Sequence, residues 1–453
     1  MRRSEASQGS DCTIPATMRY PGAVLPICAS VSVILTSCAP PRYAEGQSWV
    51  TAGPMVGHTT ATSAIVWARA SGEGDVSVRY ATDASMKDAR ESDTVSAKMA
   101  SDLTVHMAIP DLKPDTRYFY ELVSRGSASA RHTFKTAPSG GAKFRVAFGS
   151  CAGQPGQTVF RAMREAKPDL LLMLGDNVYA NASELPALRA YYRNSRAEPD
   201  FGAVIAETPT WAIWDDHDFL GNDLDGTAPG KENALKAFRE YWANGNVPDT
   251  SQRGIWHRFT WGNVEFFMLD DRFHRNVVKG SMLGPTQRRW LFDNLKQSNA
   301  MFKVIASGSV WNTQKPHDSW NEFPEERRAL FEHIAAHKIA GVVLMAGDIH
   351  RGEVWRMKTE LPYPLYELVS SPLAMRVSDC TGEHPERLGC YSGNMFSTLD
   401  VDTVSTPAAL HVALHDEGGK VVFAHDISVD EIGGPTKAEP LRPTVNPGDN
   451  YED

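Results

Sequence analysis

Residues 210–218 read TWAIWDDHD, a short apolar run followed at once by three aspartates and a histidine. Trp211 and Trp214 indicate that the run is a buried strand, so we expect the acidic segment to lie at the strand's carboxyl end. Three carboxylates in four residues repel one another and raise one another's pKa values unless a cation is present. The segment therefore favours a metal site, with a solvated acidic loop as the alternative.

The same arrangement, an apolar run that ends in polar or metal-capable side chains, occurs at five places in the chain. The runs are 144–148, 169–174, 210–214, 264–269 and 341–346, and a further apolar run is 303–307. The segments that follow the five runs are Gly149-Ser150-Cys151, Gly175-Asp176-Asn177-Val178-Tyr179, Asp215-Asp216-His217-Asp218, Asp270-Asp271-Arg272 and Gly347-Asp348-Ile349-His350. A single polar residue after a strand is ordinarily a turn former or a helix cap. Five segments that include Cys, Tyr and His exceed what turns require, and α/β folds build their sites at this edge of the sheet.

The chain changes character at residues 137–141, APSGG, which we interpret as a linker. Before the linker, short alternating runs between turns predict an antiparallel β-sandwich over 46–138. Within it, LKPDTRYFYEL at 112–122 is similar to the corner of fibronectin type III domains, where a tyrosine bonds back to the loop. After the linker, buried strands alternate with amphipathic helices over 143–433, and 434–453 is predicted to be a loose tail. The predicted helices are 231–244, 284–298 and 324–337.

The residue types and spacings in the polar segments point to metal binding. Asp348 and His350 alternate across an isoleucine, so both can point the same way from an extended strand end. Asp176 and Tyr179 are three residues apart at the start of a predicted helix, which would place them on one face. A phenol ligates well only as phenolate, and together with a thiolate from Cys151 it favours ferric iron over magnesium or calcium. A buried small side chain for Cys151 and a packed ring for Tyr179 are the alternatives.

In this order, the segments resemble the alkaline phosphatase D (PhoD-like) family of metallophosphatases, within the wider calcineurin-like and purple acid phosphatase superfamily. The resemblance covers nearly all of the chain after residues 1–37, which are interpreted below as an export signal. The motifs that carry it are WVTAGPMVGHTTATSAIVWARA (49–70), GSC (149–151), LGDNVYA (174–180), WDDHDFLGND (214–223), MLDDRFHR (268–275), LGPTQRRWLFDNL (283–295), DSWNEFPEERRALFEHI (318–334), MAGDIHRGE (345–353) and ELVSSPLA (367–374). The resemblance implies a four-layer α/β/β/α core behind the fibronectin-like sandwich.

The resemblance also implies two metal positions. The ligands implied for the first, which would hold ferric iron, are Cys151, Asp176, Tyr179 and His350. At the second, Asp216 and Asp348 would join a bridging Asp176 around a divalent ion, calcium by family analogy. The superfamily carries Asn where Asp216 stands, and it places a further His after its fifth strand, where this chain has SGSVWN at 307–312. We therefore expect an oxygen-rich second site for a hard ion.

Two further residues are expected to act on the substrate. His217 takes the place of the superfamily histidine that stabilises the transition state or donates to the leaving group. Arg272 is our candidate for neutralising charge on the equatorial phosphoryl oxygens, with a surface salt bridge to Asp270 or Asp271 as the alternative. The expected reaction is hydrolysis by a hydroxide or oxo group held between two cations.

These features predict a monomeric phosphoric ester hydrolase that acts on phosphomonoesters, phosphodiesters or both. A phospholipid or polymer phosphodiesterase is the second expectation. The size of the substrate depends on how the loops 181–209 and 375–395 close the cleft, which the sequence does not decide. The alternative from another functional class is a binding protein: a catalytically dead envelope lipoprotein that binds partners through its β-sandwich. The retention of all six expected ligands argues against it.

Composition and the N-terminal segment indicate where the protein acts. With 42% hydrophobic and 22% charged residues over 453 positions, the chain is globular rather than disordered or polytopic. Residues 18–38 join a basic start to an apolar run and the ending Leu-Thr-Ser-Cys, which resembles a lipobox. We expect 1–37 to be a signal peptide and Cys38 a lipid anchor in the periplasm or outer envelope, with an ordinary secretory signal as the alternative. A net charge of −9 argues against nucleic acid as a partner.

The cysteines have separate expected fates. Cys12 and Cys28 fall in the export segment. Cys380 and Cys390 bracket a loop that contains Gly and Pro. In an exported protein we expect these two to form a disulfide, with two free thiols as the alternative.

Overall fold

The computed structural model of the chain describes residues 49–245, 247–248, 253–435 and 441. The expected signal peptide, with Cys12, Cys28 and the lipobox Cys38, lies outside the described residues, as does most of the expected tail. Among the helices of the described ranges, none is long and apolar enough to cross a bilayer.

The strands at the start of the described chain form two antiparallel sheets. They are β1 (Val50–Thr59), β2 (Ala64–Ala70), β3 (Gly74–Ala81), β4 (Arg90–Glu91), β5 (Val95–Ala97), β6 (Thr104–Ile109), β7 (Arg117–Ser124), β8 (Ser127–Ala128) and β9 (His132–Lys135). One sheet has the order β1-β2-β6, and the other β4-β3-β7-β8 with β5 beside β3 and β9 beside β7. Val76, Val78 and Tyr80 alternate along β3 and pack in a core of their own. The predicted β-sandwich is confirmed.

Tyr118 makes the predicted corner bond. The backbone N–H of Lys113 donates to Tyr118 Oη at 2.8 Å. The Tyr118 ring stacks on Phe134 with centroids 5.7 Å apart. The bond ties the loop before β7 to the strand itself.

The rest of the described chain forms two mixed sheets and their covering helices. The strands are β10 (Lys143–Gly149), β11 (Leu170–Leu174), β12 (Thr210–Ile213), β13 (His257–Trp261), β14 (Val264–Met268), β15 (Phe302–Ala306), β16 (Val342–Ala346), β17 (Gly352–Met357), β18 (Leu365–Val369), β19 (Arg387–Tyr391), β20 (Met395–Asp402), β21 (Ala409–Asp416) and β22 (Val421–Ser428). The helices are α1 (Val159–Glu165), α2 (Leu185–Arg196), α3 (Pro199–Ile205), α4 (Asp216–Phe219), α5 (Lys231–Tyr241), α6 (Gly284–Gln297) and α7 (Pro324–Ala336), with short 3₁₀ turns at Met99–Ser101 and Trp320–Glu322.

Parallel strands lead to the site in both sheets. The first sheet has the order β12-β11-β10-β20-β21-β22, in which β10, β11 and β12 are parallel. The second has the order β13-β14-β15-β16-β18-β17-β19, with β14, β15, β16 and β18 parallel. Strands β11 and β16 are wholly apolar and buried because both of their faces are covered. A single apolar core includes Val146 of β10, Leu344 of β16 and Trp290 of α6. The predicted α/β/β/α class is confirmed.

The sandwich packs closely against the mixed sheets. Trp67 Nε1 in β2 donates to the Glu240 carbonyl in α5 at 2.8 Å. Trp211 Nε1 in β12 donates to His58 Nδ1 in β1 at 3.2 Å. All four residues are buried. The sandwich therefore supports β12, which leads into the acidic segment, and α5, which follows it.

Candidate metal centre and active site

Metal-capable side chains lie in the loops that follow parallel strands. Cys151 follows β10, Asp176 follows β11, and Asp348 and His350 follow β16. Their φ angles are 61°, 52°, 72° and 57°, in the left-handed region that side chains rarely adopt. Backbone of this kind costs free energy and is concentrated at functional sites. The loops at these three strand ends therefore hold the four side chains in unusual backbone conformations.

The residues predicted as iron ligands are brought together. Ligand atoms of Cys151, Asp176 and His350 all lie within 4.8 Å of one another. Cys151 Sγ is 3.6 Å from Asp176 Oδ2, and Tyr179 Oη is 3.1 Å from His350 Nε2. Ser371 Oγ donates to the buried sulfur of Cys151 at 3.2 Å. Thiol, carboxylate, phenol and imidazole groups thus share one location.

A second group of possible ligands shares Asp176 with the first. Ligand atoms of Asp176, Asp216 and His217 lie within 4.8 Å of one another, and the His217 backbone N–H donates to Asp176 Oδ1 at 3.2 Å. Asp216 also belongs to a third group with Asp223 and Asp318. The position of Asp176 between two groups suits the bridging role predicted for it.

Asp348 is held by an ammonium group in this structure. Lys315 Nζ donates to Asp348 Oδ2 and lies 3.2 Å from Asp318 Oδ2. Burial raises the pKa of Asp348 to about 7, against the effect of Lys315. Burial opposes the charge on Lys315, yet Asp348 and Asp318 raise its pKa overall. A positive charge is therefore held among the carboxylates of the second position.

The protonation chemistry of the first group fits a multivalent cation. Burial, together with nearby carboxylates such as Asp216, raises the pKa of Asp176. Burial raises the pKa of the Cys151 thiol and of the Tyr179 phenol well above their usual values. Burial lowers the pKa of His350 to about 4, which leaves the neutral imidazole that metals bind. A multivalent cation would convert the thiol and phenol to anionic ligands and relieve the carboxylate repulsion.

His217 is held on both sides at the same location. Its Nδ1 lies 2.6 Å from Asn181 Oδ1, which as an acceptor places the proton on Nδ1. Its ring lies 4.2 Å from the Tyr179 ring, centroid to centroid, and Nε2 lies 3.9 Å from Asp216 Oδ1. Burial lowers the pKa of His217. Nε2 is therefore the nitrogen that can exchange a proton or bind metal.

Arg272 is completely buried, so the alternative of a surface salt bridge to Asp270 or Asp271 is wrong. Its Nε lies 2.6 Å from Asp215 Oδ1, and a terminal nitrogen lies 2.7 Å from Asp318 Oδ1. All three guanidinium nitrogens donate within the protein. Contact with a phosphoryl group would require one of these bonds to open, and the predicted role of Arg272 stays a prediction.

Two local predictions about the ligand segments are wrong. Asp176 and Tyr179 do not begin a helix, since the next helix, α2, starts at Leu185. Asp348 and His350 do not extend β16, because both have left-handed backbone. The side chains converge through tight turns at the strand ends rather than through helix or strand periodicity.

Three further residues contact the site and were missed from the sequence. Asn181 accepts from His217, while Lys315 and Asp318 add charge beside Asp348. All three lie in irregular loops after β11 and β15. The one signal for them was their position after buried parallel strands, which applies to any polar residue in those loops.

The expected Cys380–Cys390 disulfide is present, and the alternative of two free thiols is wrong. The loop that contains it contacts the centre, because the Ser378 backbone N–H donates to the His350 carbonyl at 2.8 Å. The disulfide therefore braces a segment that is bonded directly to a predicted ligand.

Comparisons with known proteins match both domains. A model of the PhoD-like phosphatase family matches residues 146–388, more than half of the chain, and a model of that family's N-terminal domain matches 37–138. Alkaline phosphatase D of Bacillus subtilis is 26% identical over 320 residues, which cover 57% of this chain and 55% of that protein. Purple acid phosphatase 21 of Arabidopsis thaliana is 23% identical over 274 residues, which cover 58% and 56%. The chain thus matches little more than half the length of these two curated relatives.

Solved structures share the fold. A structure of PhoD has a TM-score of 0.71 at 21% identity, and the match covers 88% of this chain and 95% of that one. A purple acid phosphatase from yellow lupin (Lupinus luteus) seeds has a TM-score of 0.65 at 13% identity, and the match covers 84% and 75%. The family models confirm the predicted family, and the two solved structures confirm the predicted fold. The predicted enzyme class, the phosphoric ester hydrolases, is the one that the description of the family as phosphatases implies. With both domains matched and the loops of all six predicted ligands inside the matched region, this chain belongs to the PhoD-like phosphatase family.

Proposed function

We propose that this chain is a metal-dependent hydrolase of phosphomonoesters, phosphodiesters or both. One observation carries the proposal: a thiol, a carboxylate, a phenol and an imidazole meet beside a group of further carboxylates. These four groups are all metal ligands, and a pair of unlike cations would use the thiolate, phenolate and imidazole at one position and carboxylates at the other. A catalytically dead relative would be expected to have lost part of this set.

We further propose ferric iron at the first position and a divalent ion, calcium by expectation, at the second. A thiolate and a phenolate favour a strong Lewis acid, and the oxygens of Asp176, Asp216 and Asp348 favour a hard divalent ion. When bound, two such cations neutralise phosphoryl oxygens and lower the pKa of a water molecule. Lys315 is bonded to Oδ2 of Asp348, so a cation that binds through this oxygen would displace the ammonium group.

His217 is the residue proposed to give a proton to the leaving alcohol. Asn181 holds the Nδ1 proton, so the second proton of the imidazolium is on Nε2. Burial lowers the pKa of His217 and so makes the imidazolium a stronger acid. The proton leaves Nε2 for the alkoxide oxygen, and the neutral ring is reprotonated from solvent.

Lys315 is the cation best placed to meet the substrate. Its side chain is 28% exposed, whereas Arg272 is fully buried. We propose that Lys315 contacts a phosphoryl oxygen of the substrate. Arg272 is proposed to hold Asp215 and Asp318 in place. A direct role for Arg272 at the equatorial oxygens is retained as the second possibility.

The substrate could also be a phospholipid or a polymeric phosphodiester. This second candidate is favoured by the proposed location of the protein, which is the cell envelope, with a lipid anchor at Cys38. The location rests on residues 18–38 alone. Both the location and a monomeric state are proposals.

A panel of esters tests the proposed function. The purified chain, loaded with iron and calcium, is assayed with p-nitrophenyl phosphate, bis-p-nitrophenyl phosphate and a short-chain phospholipid. We expect hydrolysis of at least one ester, and its loss in Asp176→Asn but not in Asp400→Asn, a surface aspartate on β20. The proposal would be overturned if none of the three esters is hydrolysed.

A further inference from the structure

One segment of the loop after β18 is bonded to two of the proposed iron ligands. The Ala374 backbone N–H donates to the Cys151 carbonyl at 3.0 Å, and the Ser378 backbone N–H donates to the His350 carbonyl at 2.8 Å. Arg376 lies midway between these two anchored residues. The segment therefore places an arginine at the edge of the proposed first metal position.

The backbone on both sides of Arg376 is also tied to the chain that follows it. The Met375 backbone N–H donates to Asn394 Oδ1 at 3.3 Å. Further along the segment, the disulfide joins Cys380 to Cys390 on β19. A residue that is held in place before a ligand arrives loses less conformational entropy when the ligand binds. Arg376 is thus fixed at its backbone although its side chain is exposed.

The Arg376 guanidinium is not committed to another side chain. Within the described part of the chain it has no hydrogen bond or ion pair, whereas Arg272 and Lys315 are both bonded to carboxylates. Its charge nevertheless reaches the metal centre. Burial first, and the charge on Arg376 second, lower the pKa of His350. A guanidinium in this position is available to an anionic ligand, whose oxygens its planar fork can bind in pairs.

The charge of the proposed centre leaves the substrate anion to be met by side chains. The thiolate, the phenolate and the carboxylates of Asp176, Asp216 and Asp348 together balance the charge of a ferric and a divalent ion. Asp223, beside Asp216, adds a further acidic group. A phosphomonoester is a dianion above its second pKa of about 6, whereas a phosphodiester is a monoanion. Since Lys315 is proposed to meet one phosphoryl oxygen, the second charge of a monoester calls for a second cation.

We propose that Arg376 is a specificity-determining residue that binds a phosphoryl oxygen and favours dianionic phosphomonoesters over monoanionic phosphodiesters. The inference rests on the proposed function and narrows its substrate class. Arg376 donates to the phosphoryl group from the side of Cys151 and His350. Lys315 donates from the side of Asp348.

Two probes without ester bonds separate binding from hydrolysis. Methylphosphonate provides a dianion, and dimethylphosphinate is a monoanion of similar size. Each is titrated calorimetrically into the metal-loaded full chain, at a pH at which methylphosphonate has lost both protons. We expect Arg376→Gln to bind methylphosphonate about tenfold more weakly than the wild type, the value of one hydrogen bond between charged groups. Its affinity for dimethylphosphinate should fall less than about threefold.

Two further variants separate the charge of Arg376 from its geometry and its position. Arg376→Lys keeps the charge without the fork and should lose only about threefold in affinity for methylphosphonate. Arg117→Gln removes an exposed arginine on β7 of the sandwich and is the matched control, with both affinities unchanged. The metal content of all variants should equal that of the wild type, because the segment is held by backbone bonds and the disulfide. Loss of metal from both Arg376 variants would overturn the proposal and make Arg376 a structural part of the centre.

Unchanged affinity of Arg376→Gln for methylphosphonate would also overturn the proposal. An equal loss of affinity for the two probes would overturn the preference for dianions. Failure of the proposed function has a different signature. In that case the wild type hydrolyses none of the test esters, whatever Arg376→Gln does to the binding of methylphosphonate.

Discussion

Tyr179 Oη and His350 Nε2 lie 3.1 Å apart although 171 positions separate their residues in the chain. Tyr179 belongs to the loop after β11 in the first mixed sheet, and His350 to the loop after β16 in the second. The proposed iron position therefore joins the two sheets at their edge. A cation held there would cross-link the halves of the catalytic domain.

Removal of metal should consequently destabilise the folded chain. A ligand that binds only the native state stabilises it by about 2.7 kcal/mol at a free concentration of 100 Kd. We expect chelation to lower the thermal midpoint in calorimetry, and readdition of iron to restore it. In Cys151→Ser, which replaces the thiolate donor, the difference between the thermal midpoints with and without metal should be smaller than in the wild type. Equal midpoints before and after verified metal removal would contradict the cross-link.

Tyr179→Phe should remove the phenolate contribution to the visible absorption of the iron-loaded protein and leave only the contribution of the Cys151 thiolate. Charge transfer from the phenolate to ferric iron needs its oxygen, whereas the ring that packs on His217 is retained in the variant. Absorption spectra are compared at equal iron content, with Tyr191→Phe as the matched control. A visible spectrum of Tyr179→Phe with the same band position and intensity as the wild type would exclude this residue as a ligand.

His217→Ala should lower kcat by about 10²- to 10⁴-fold, the usual contribution of a general acid. Asn181→Ala should lower kcat by only about tenfold. The ring of His217 keeps its packing on Tyr179 in this variant and loses only the hydrogen bond that orients it. Metal content is measured in both variants and should be unchanged. Loss of metal from His217→Ala would reassign His217 as a ligand, which its proximity to Asp176 and Asp216 allows.

The contact between the sandwich and the catalytic domain should be sensitive to acid. Burial lowers the pKa of His58 from 6.5 to about 4, and its Nδ1 accepts from Trp211 Nε1. Between these values the unfolded chain binds the extra proton, so stability falls as the pH is lowered from about 6.5 to about 4. The loss assigned to His58 is about 3 kcal/mol.

The pH dependence of unfolding in urea, compared between wild type and His58→Gln, isolates this contribution. Buried histidines that do not interact with His58, such as His415, whose pKa burial also lowers, titrate in both proteins and cancel in the difference. His257 does not cancel fully, because the charge of protonated His58 contributes to lowering its pKa. We expect the variant to lose less stability between pH 6.5 and 4 than the wild type. Parallel curves would show that His58 does not titrate in this range.

The sequence was sufficient for elements whose pattern is set by burial. Strands β11 and β16 are apolar throughout because both of their faces are covered, and α5, α6 and α7 lie within the predicted helical segments. The convergence of the metal-capable side chains was predictable because these residues follow such strands, whereas their role as ligands stays a prediction. The types of side chain at the strand ends could therefore be predicted without knowing the conformations of the turns.

The turns themselves could not be predicted. Asp176 and Asp348 adopt left-handed backbone that only the surrounding packing can enforce, so spacing rules placed them wrongly in a helix and an extended strand. The burial of Arg272 depends on Asp215 and Asp318, which lie 57 and 46 positions away. Lys315 reaches Asp348 from an irregular loop. Such contacts depend on tertiary geometry, which carries no local periodic signal.

The central claim is that this chain hydrolyses phosphate esters at a site that holds iron and a divalent ion. Metal analysis and a visible spectrum of the purified full chain, with ester hydrolysis measured on the same sample, test it most directly. The account predicts bound iron with a divalent ion, a visible band, and hydrolysis that is lost in Asp176→Asn. A protein that binds no iron and hydrolyses neither p-nitrophenyl phosphate nor its diester would contradict it.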